Sequence, residues 1–177
     1  MKINSLYGLT LSLLMASAIQ VSAEEFKLLH ESEINEAAVI DALAPEKSGR
    51  TRSFRPMDDY LARPPSASML ITFNTNSANL TFSAKQALDK VGRALNMDKL
   101  AEFSFVIEGH ADRRGSYELN QHLSEERAAA VRYYLISMHD IDPTRLTAIG
   151  KGYTEPLNKD NPLAEENRRV TIVRVVK

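Results

Sequence analysis

The 177-residue sequence contains no cysteine and no tryptophan. Without cysteine there is no disulfide framework, no thiolate metal site, no thiol nucleophile and no N-terminal cysteine to carry a lipid. An excess of either charge is also missing: 22 Lys and Arg stand against 23 Asp and Glu, a net charge of −1. Chains built to grip nucleic acid usually show a basic surplus, so nucleic acid is not an expected partner. The main apolar run, LYGLTLSLLMASAI at residues 6–19, is about 14 residues long, against the roughly 20 that a membrane-spanning helix needs. Proline is sparse except in one place, where four of the seven (Pro45, Pro56, Pro64, Pro65) fall within residues 45–67.

What is present begins with an export pattern. Lys2 precedes the apolar run and Val21-Ser22-Ala23 follows it, the three-part layout of a secretory signal. The expected signal peptide is residues 1–23, with Ala18 as an earlier cleavage point. Residues 24–67 read as an N-terminal extension. A short helix is expected over about 31–43, stopped by Pro45, and a Pro/Arg-rich linker follows with Arg50, Arg52, Arg55 and Arg63. Proline fixes φ and removes a donor, so this stretch is not expected to enter a sheet interior. A solvated basic linker is favoured over contact with an anionic surface.

From residue 68 to 177 the texture is that of one compact domain. MLITF (69–73), FSFVI (103–107), RLTAI (145–149) and VTIVRVV (170–176) are β-prone runs. Phe82, Ala84, Leu88, Val91 and Leu95 recur at helical spacing over 81–96. A second helix is expected over 124–139, with Ser124 as N-cap and Glu125 and Glu126 in its first turn. This order predicts an α/β sandwich with some parallel strands, and about 110 residues is enough for one core.

The chemistry is concentrated in EGHADRRGSYELNQHLSEER (108–127), which starts where a strand is expected to end. Ligands of open α/β sheets gather at such strand ends. Asp112 lies in the loop and Arg127 follows in the expected first turn of the next helix, with backbone N–H groups near Ser124–Arg127 as further anion donors. Two readings stand side by side. The pair is a salt bridge tying loop to helix, or it clamps a zwitterion, with Arg on the carboxylate and Asp on the ammonium. A metal reading uses His110, Asp112 and His122, but a catalytic zinc needs three ligands with outer support, and His30 and His139 do not have ligand spacing. Neither a nucleophile elbow nor a phosphate loop is present.

The strings GHADRRGSYELNQHLSEERAAAVRYYL, RLTAIGKG and ENRRVTI, with ITFNTNSANL before them, resemble the OmpA C-terminal (OmpA/MotB, Pal-like) family. The resemblance covers about residues 68–176. It implies a βαβαββ mixed sheet with helices on one face, and non-covalent binding of peptidoglycan through the meso-diaminopimelate of the stem peptide. By position it makes Asp112 the ammonium-binding aspartate and Arg127 the carboxylate-binding arginine. Asn76, with Thr75 beside it, falls at a polar contact position. Asn120 and Leu123 line the site, and Arg168 stands near it. Each has a plainer role: Asn76 makes a turn, Asn120 bonds the loop backbone, Leu123 is core, and Arg168 holds Asp112. The lipidated cysteine, membrane β-barrel or membrane helix of other members is not matched. The expectation is therefore a periplasmic, non-enzymatic wall-binding protein without a cofactor or lipid, peripherally associated with the outer membrane. Residues 24–67 would contact an outer-membrane or periplasmic protein. The rivals are a metal-dependent peptidoglycan amidase or peptidase, and an envelope interaction protein that does not bind wall.

Overall fold

The computed structural model describes residues 28–44, 64–74 and 77–176. The expected signal peptide, most of the linker, and Thr75 and Asn76 lie outside the described residues. Five strands and three α-helices follow in the order β1 (Leu28–His30), α1 (Glu36–Leu43), β2 (Ser66–Leu70), α2 (Phe82–Leu95), β3 (Phe105–Gly109), α3 (Tyr117–His139), β4 (Leu146–Gly150) and β5 (Val170–Arg174). They build one sheet in the order β1-β2-β5-β3-β4. The β1/β2 and β3/β4 pairs are parallel, and β5 runs antiparallel to both β2 and β3. The mixed sheet is the expected fold class.

Register explains which face is covered. Ala67, Ile172 and Ile107 pair across three strands, as do Met69, Val170 and Gly109. All lie on one face, and the apolar ones are buried with Leu88, Leu95, Val131 and Leu135 of the helices. On the other face Ser68 and Thr171 share a hydrogen bond of 3.1 Å. Alternation of this kind follows from the two-residue period of a strand.

The helices begin at their caps. The Thr81 hydroxyl accepts from the Ala84 N–H at 3.2 Å and opens α2 close to where periodicity places it. For α3 the expected start at Ser124 is wrong. Ser116 is the cap, accepting from the Leu119 N–H at 3.2 Å, and the helix starts at Tyr117. Residues 117–119 and His122 are exposed, so the first two turns show no apolar stripe and are invisible to a periodicity argument. Ser124 instead lies buried in mid-helix. Its hydroxyl donates to the Gln121 carbonyl at 2.9 Å and accepts from the Gly152 N–H at 2.9 Å.

The N-terminal stretch also departs from its expected role as an appendage. β1 pairs with β2, and Leu29, Ile34, Val39 and Leu43 are in the core. The α1 cap is Asn35, whose Oδ1 accepts from the Ala38 N–H at 2.9 Å, and Arg174 Nη1 donates to the Leu43 carbonyl at 2.9 Å at the other end. β1 has three residues, too few to show a period. The linker expected to run through residue 67 gives way to sheet at Ser66, because the prolines end at Pro65.

Gly109 and Gly150 are partners in the β3/β4 register and lie beneath α3. A Cβ at Gly109 would stand 2.1 Å from the Ser124 carbonyl oxygen, and one at Gly150 would stand 2.7 Å from the Glu125 nitrogen. Both obstacles are helix backbone, so neither can move aside. Gly109→Ala is expected to cost about 3 kcal/mol or more through overpacking, read as a lower urea midpoint. Leu43→Ala is expected to cost about 2–5 kcal/mol, which separates a core helix from a loose extension in the same measurement.

Candidate functional site

The β3–α3 loop, residues 110–116, is tied at several backbone points. His110 N–H donates to the Arg169 carbonyl at 2.9 Å, Ala111 N–H to Gly152 at 2.7 Å and Arg113 N–H to Pro162 at 3.1 Å. Gly115 turns the chain at φ 88°, a conformation that side chains resist. Asn120 Nδ2 then reaches back to the Arg114 carbonyl at 2.6 Å and the Ser116 carbonyl at 3.0 Å. Asn120 therefore braces the loop backbone.

Asp112 is 4% exposed at the centre of this loop. Its Oδ1 accepts from the Arg114 N–H at 2.9 Å, and its Oδ2 accepts from Arg114 Nη1 at 2.7 Å and Arg168 Nη1 at 2.8 Å. Burial alone would raise this carboxyl. The Arg168 hydrogen bond, the Arg114 N–H and both guanidinium charges outweigh it and hold the group below the usual carboxylate range. Arg114 is 62% exposed in its side chain, so the contact it adds is open to water.

Arg127 does not close on Asp112 as a salt bridge. Asp112 takes Arg114 and Arg168 as its partners within 4.0 Å. The Arg127 Nε donates to the Ser77 carbonyl at 3.2 Å, and its guanidinium lies 4.9 Å from the centre of the Phe73 ring. Burial lowers its pKa, with a smaller contribution from the Arg168 charge, while Asp112 opposes both. Arg127 sits in the third turn of α3, so the backbone N–H groups expected near Ser124 are spent inside the helix.

A cavity of about 200 Å³ is lined by Phe73, His110, Arg127, Glu165, Arg168 and Arg169, with Leu70–Thr72 on one side. Structure thus brings Arg127 and Arg168 together, and Arg168 carries the link to Asp112. Leu123 is half-buried on α3. A larger open groove of about 750 Å³ runs past Leu28, Leu70 and Leu157 but contains no arginine. His110, Arg114, Arg169 and Phe73 had not been singled out as ligand contacts. Phe73 falls inside the ITFNTN string, which was a usable signal, whereas the return of Arg114 to Asp112 is a local turn of the loop with no sequence signal of its own. His122 is 72% exposed in its side chain and faces Glu126 at 3.5 Å, while His110 is buried. Among the described residues no group of three or more His, Asp or Glu side chains is placed to hold a metal ion. No helix among them is long and apolar enough to cross a membrane.

The sequence model of the OmpA family matches residues 72–169. The chain belongs to the OmpA family. A peptidoglycan-associated lipoprotein of Rhizobium meliloti is 34% identical over 105 residues, covering 58% of this chain and 58% of that protein. Outer membrane protein A of Citrobacter freundii is 36% identical over 121 residues, covering 68% of this chain and 46% of the relative. Omp38 of Acinetobacter baumannii is 31% identical over 120 residues, covering 65% of this chain and 32% of its own length. The chain thus spans less than two thirds of each of these relatives. Among solved structures, the Burkholderia pseudomallei peptidoglycan-associated lipoprotein superposes with a TM-score of 0.51 at 26% identity, covering 61% of this chain and 89% of that one. The periplasmic domain of Helicobacter pylori MotB has a TM-score of 0.54 at 17% identity, covering 71% and 88%, and shows the shared fold alone.

Within this OmpA-family domain, Asp112 makes a pH-dependent contribution to stability. Its folded pKa is depressed from 3.8, so the stabilisation is present above the unfolded value and is lost as pH falls through the folded one. Thermal melts between pH 7 and pH 3 are expected to show a shallower acid limb for Asp112→Asn than for the parent chain, with the parent's advantage in melting temperature shrinking below about pH 4.

Proposed function

We propose that this chain binds peptidoglycan non-covalently in the periplasm, with the meso-diaminopimelate head group as the recognised element. Asp112 takes the ammonium and Arg127 the carboxylate. The observation that carries the reading is a buried carboxylate loop set against a half-buried arginine that is not its ion-pair partner. Asp112 accepts three hydrogen bonds, and a carboxylate offers about four acceptor positions, so one remains for a ligand N–H. The exposed Arg114 side chain is the contact most easily exchanged for an ammonium. Arg127 has its Nε on Ser77, and its terminal nitrogens make no ion pair with Asp112, which suits a carboxylate fork.

The family resemblance assigns Asn76 and Thr75 an assisting role and Leu123 a lining one, while Asn120 holds the loop and Arg168 holds Asp112. The family membership and the names of the Rhizobium and Burkholderia relatives support the wall as target. No bond is made or broken, and no cofactor enters. His110 and His122 give the metal-dependent hydrolase reading no shared site.

A small polar ligand buries little area, so affinity at one site is modest. Residues 24–67 supply a second contact to an outer-membrane or periplasmic protein, and linkage of two weak sites raises retention. Residues 1–23 direct export, and the mature chain associates peripherally with the outer membrane.

The mature chain is expected to pellet with purified sacculi and to be released by free meso-diaminopimelate. Asp112→Ala and Arg127→Ala should each reduce pelleting at least tenfold, while circular dichroism stays that of the parent. Wild-type pelleting by both variants would sink the clamp.

A further inference from the structure

The loop between β2 and α2 is held at its root by a residue far away in the sequence. Glu31 Oε1 accepts two hydrogen bonds from Thr72, one from the backbone N–H at 2.7 Å and one from the hydroxyl at 2.7 Å. The Thr72 hydroxyl also lies 2.7 Å from that of Thr81, which in turn lies 3.1 Å from that of Ser83. A hydroxyl has one proton to give. The Thr72 proton goes to the carboxylate, so Thr81 donates to Thr72 and the chain of hydroxyls runs towards Glu31. Thr81 is also the N-cap of α2. One carboxylate therefore ties both ends of the loop, the entry directly and the exit through Thr81.

The turn that presents Glu31 is itself fixed. His30 pairs with Leu70 in the β1/β2 register, the Glu33 N–H returns to the His30 carbonyl at 2.8 Å, and Ile34 is fully buried. What the loop carries is the surroundings of Arg127. Ser77 supplies the carbonyl that accepts from Arg127 Nε at 3.2 Å, and the Phe73 ring centre lies 4.9 Å from the guanidinium. Thr72, Phe73 and Arg127 line the same 200 Å³ cavity. Glu31 stands outside the residues matched by the family model, which begin at residue 72.

We propose that Glu31 is a positioning residue for ligand binding: its carboxylate clamps the root of the β2–α2 loop and thereby holds Arg127 in the orientation that receives a ligand carboxylate. Arginine is a long side chain with many rotamers to lose, and a selective polar site needs such a side chain locked by its neighbours. Ser77 and Phe73 do the locking, and Glu31 holds the loop that carries them. Hydrogen bonds to a carboxylate are charge-assisted and stronger than those between neutral groups, which suits a tie that must keep a loop in place. This role rests on the reading of Arg127 as the carboxylate-binding residue.

The test uses the ¹⁵N-labelled mature chain as parent, Glu31→Ala and Thr72→Val. Two quantities are measured by NMR: the affinity for meso-diaminopimelate, and the rate at which the Arg127 Nε–H of the free chain exchanges with water, which reads its bond to Ser77. Leu43→Ala is the control, because it destabilises the same N-terminal stretch without removing a partner of Thr72. Glu31→Ala and Thr72→Val are each expected to weaken diaminopimelate about three- to tenfold, the value of a lost hydrogen bond, and to speed Nε–H exchange several-fold. Leu43→Ala should lower the urea midpoint more than either and keep the parent's affinity and exchange rate. Thr72→Val gives the same readout should Glu31→Ala not fold. Parent-like Nε–H exchange in the variants would overturn the proposal whatever their affinity, and so would an equal loss of affinity in Leu43→Ala. A parent chain that does not bind diaminopimelate would remove the clamp reading, while faster Nε–H exchange in the variants would still keep Glu31 as the residue that positions Arg127.

Discussion

The close approach of α3 to the ends of β3 and β4 is the constraint on which the site depends. It exists because Gly109 and Gly150 face each other in the sheet and present no Cβ to the helix backbone. Two contacts then hold the layers together: the Ser124 hydroxyl accepts from the Gly152 N–H at 2.9 Å, and Gln121 Nε2 donates to the Gly150 carbonyl at 2.9 Å. A helix held this tightly carries Arg127, one turn further on, to a fixed place over Phe73. It also fixes the start of α3 and hence the span that the 110–116 loop must cover. Positioning on rigid elements is what a weak, selective polar site requires.

Electrostatics within the site are arranged as a chain of unequal partners. Asp112 is deeply buried and fully charged because two guanidinium groups and a backbone N–H compensate its desolvation. Arg168 is the permanent partner, tied also to the turn before β5 through Glu165. Arg114 is the exposed one. Arg127 feels Asp112 across the site without pairing to it. A salt bridge between Asp112 and Arg127 would have left neither group available, so the separation of the two is itself informative. His110 and Arg169, beside Glu108 and Glu155, carry the buried side-chain atoms without partners among the described residues.

The family match begins at residue 72, after β1, α1 and β2. These elements are nevertheless built into the same sheet and core. The parallel strand β1 extends the sheet beyond β2, and α1 packs on α2, held at its end by Arg174 from the last strand. The described N-terminal residues 28–44 are thus part of the domain's own sheet and core.

Helical periodicity was enough to place α2, and β-prone apolar runs placed β4 and β5 within a residue or two and β3 two residues early. The sequence also marked the Asp112 loop through its glycines and its density of charge, and the absence of cysteine and of charge excess narrowed the chemistry before any contact was known. The same reasoning failed at the two exposed opening turns of α3, at three-residue β1, and at Ser66 and Ala67, where no repeat is long enough to read. Which arginine pairs with Asp112 was open between Arg127 and Arg168, and the sheet decided for Arg168 by carrying residues just before β5 to the end of β3. Spacing along the chain says which charges are near in sequence. Strand register and the handful of backbone ties around Gly115 decide which of them share one small volume, because pairing energies fall with distance in space and not with distance in sequence.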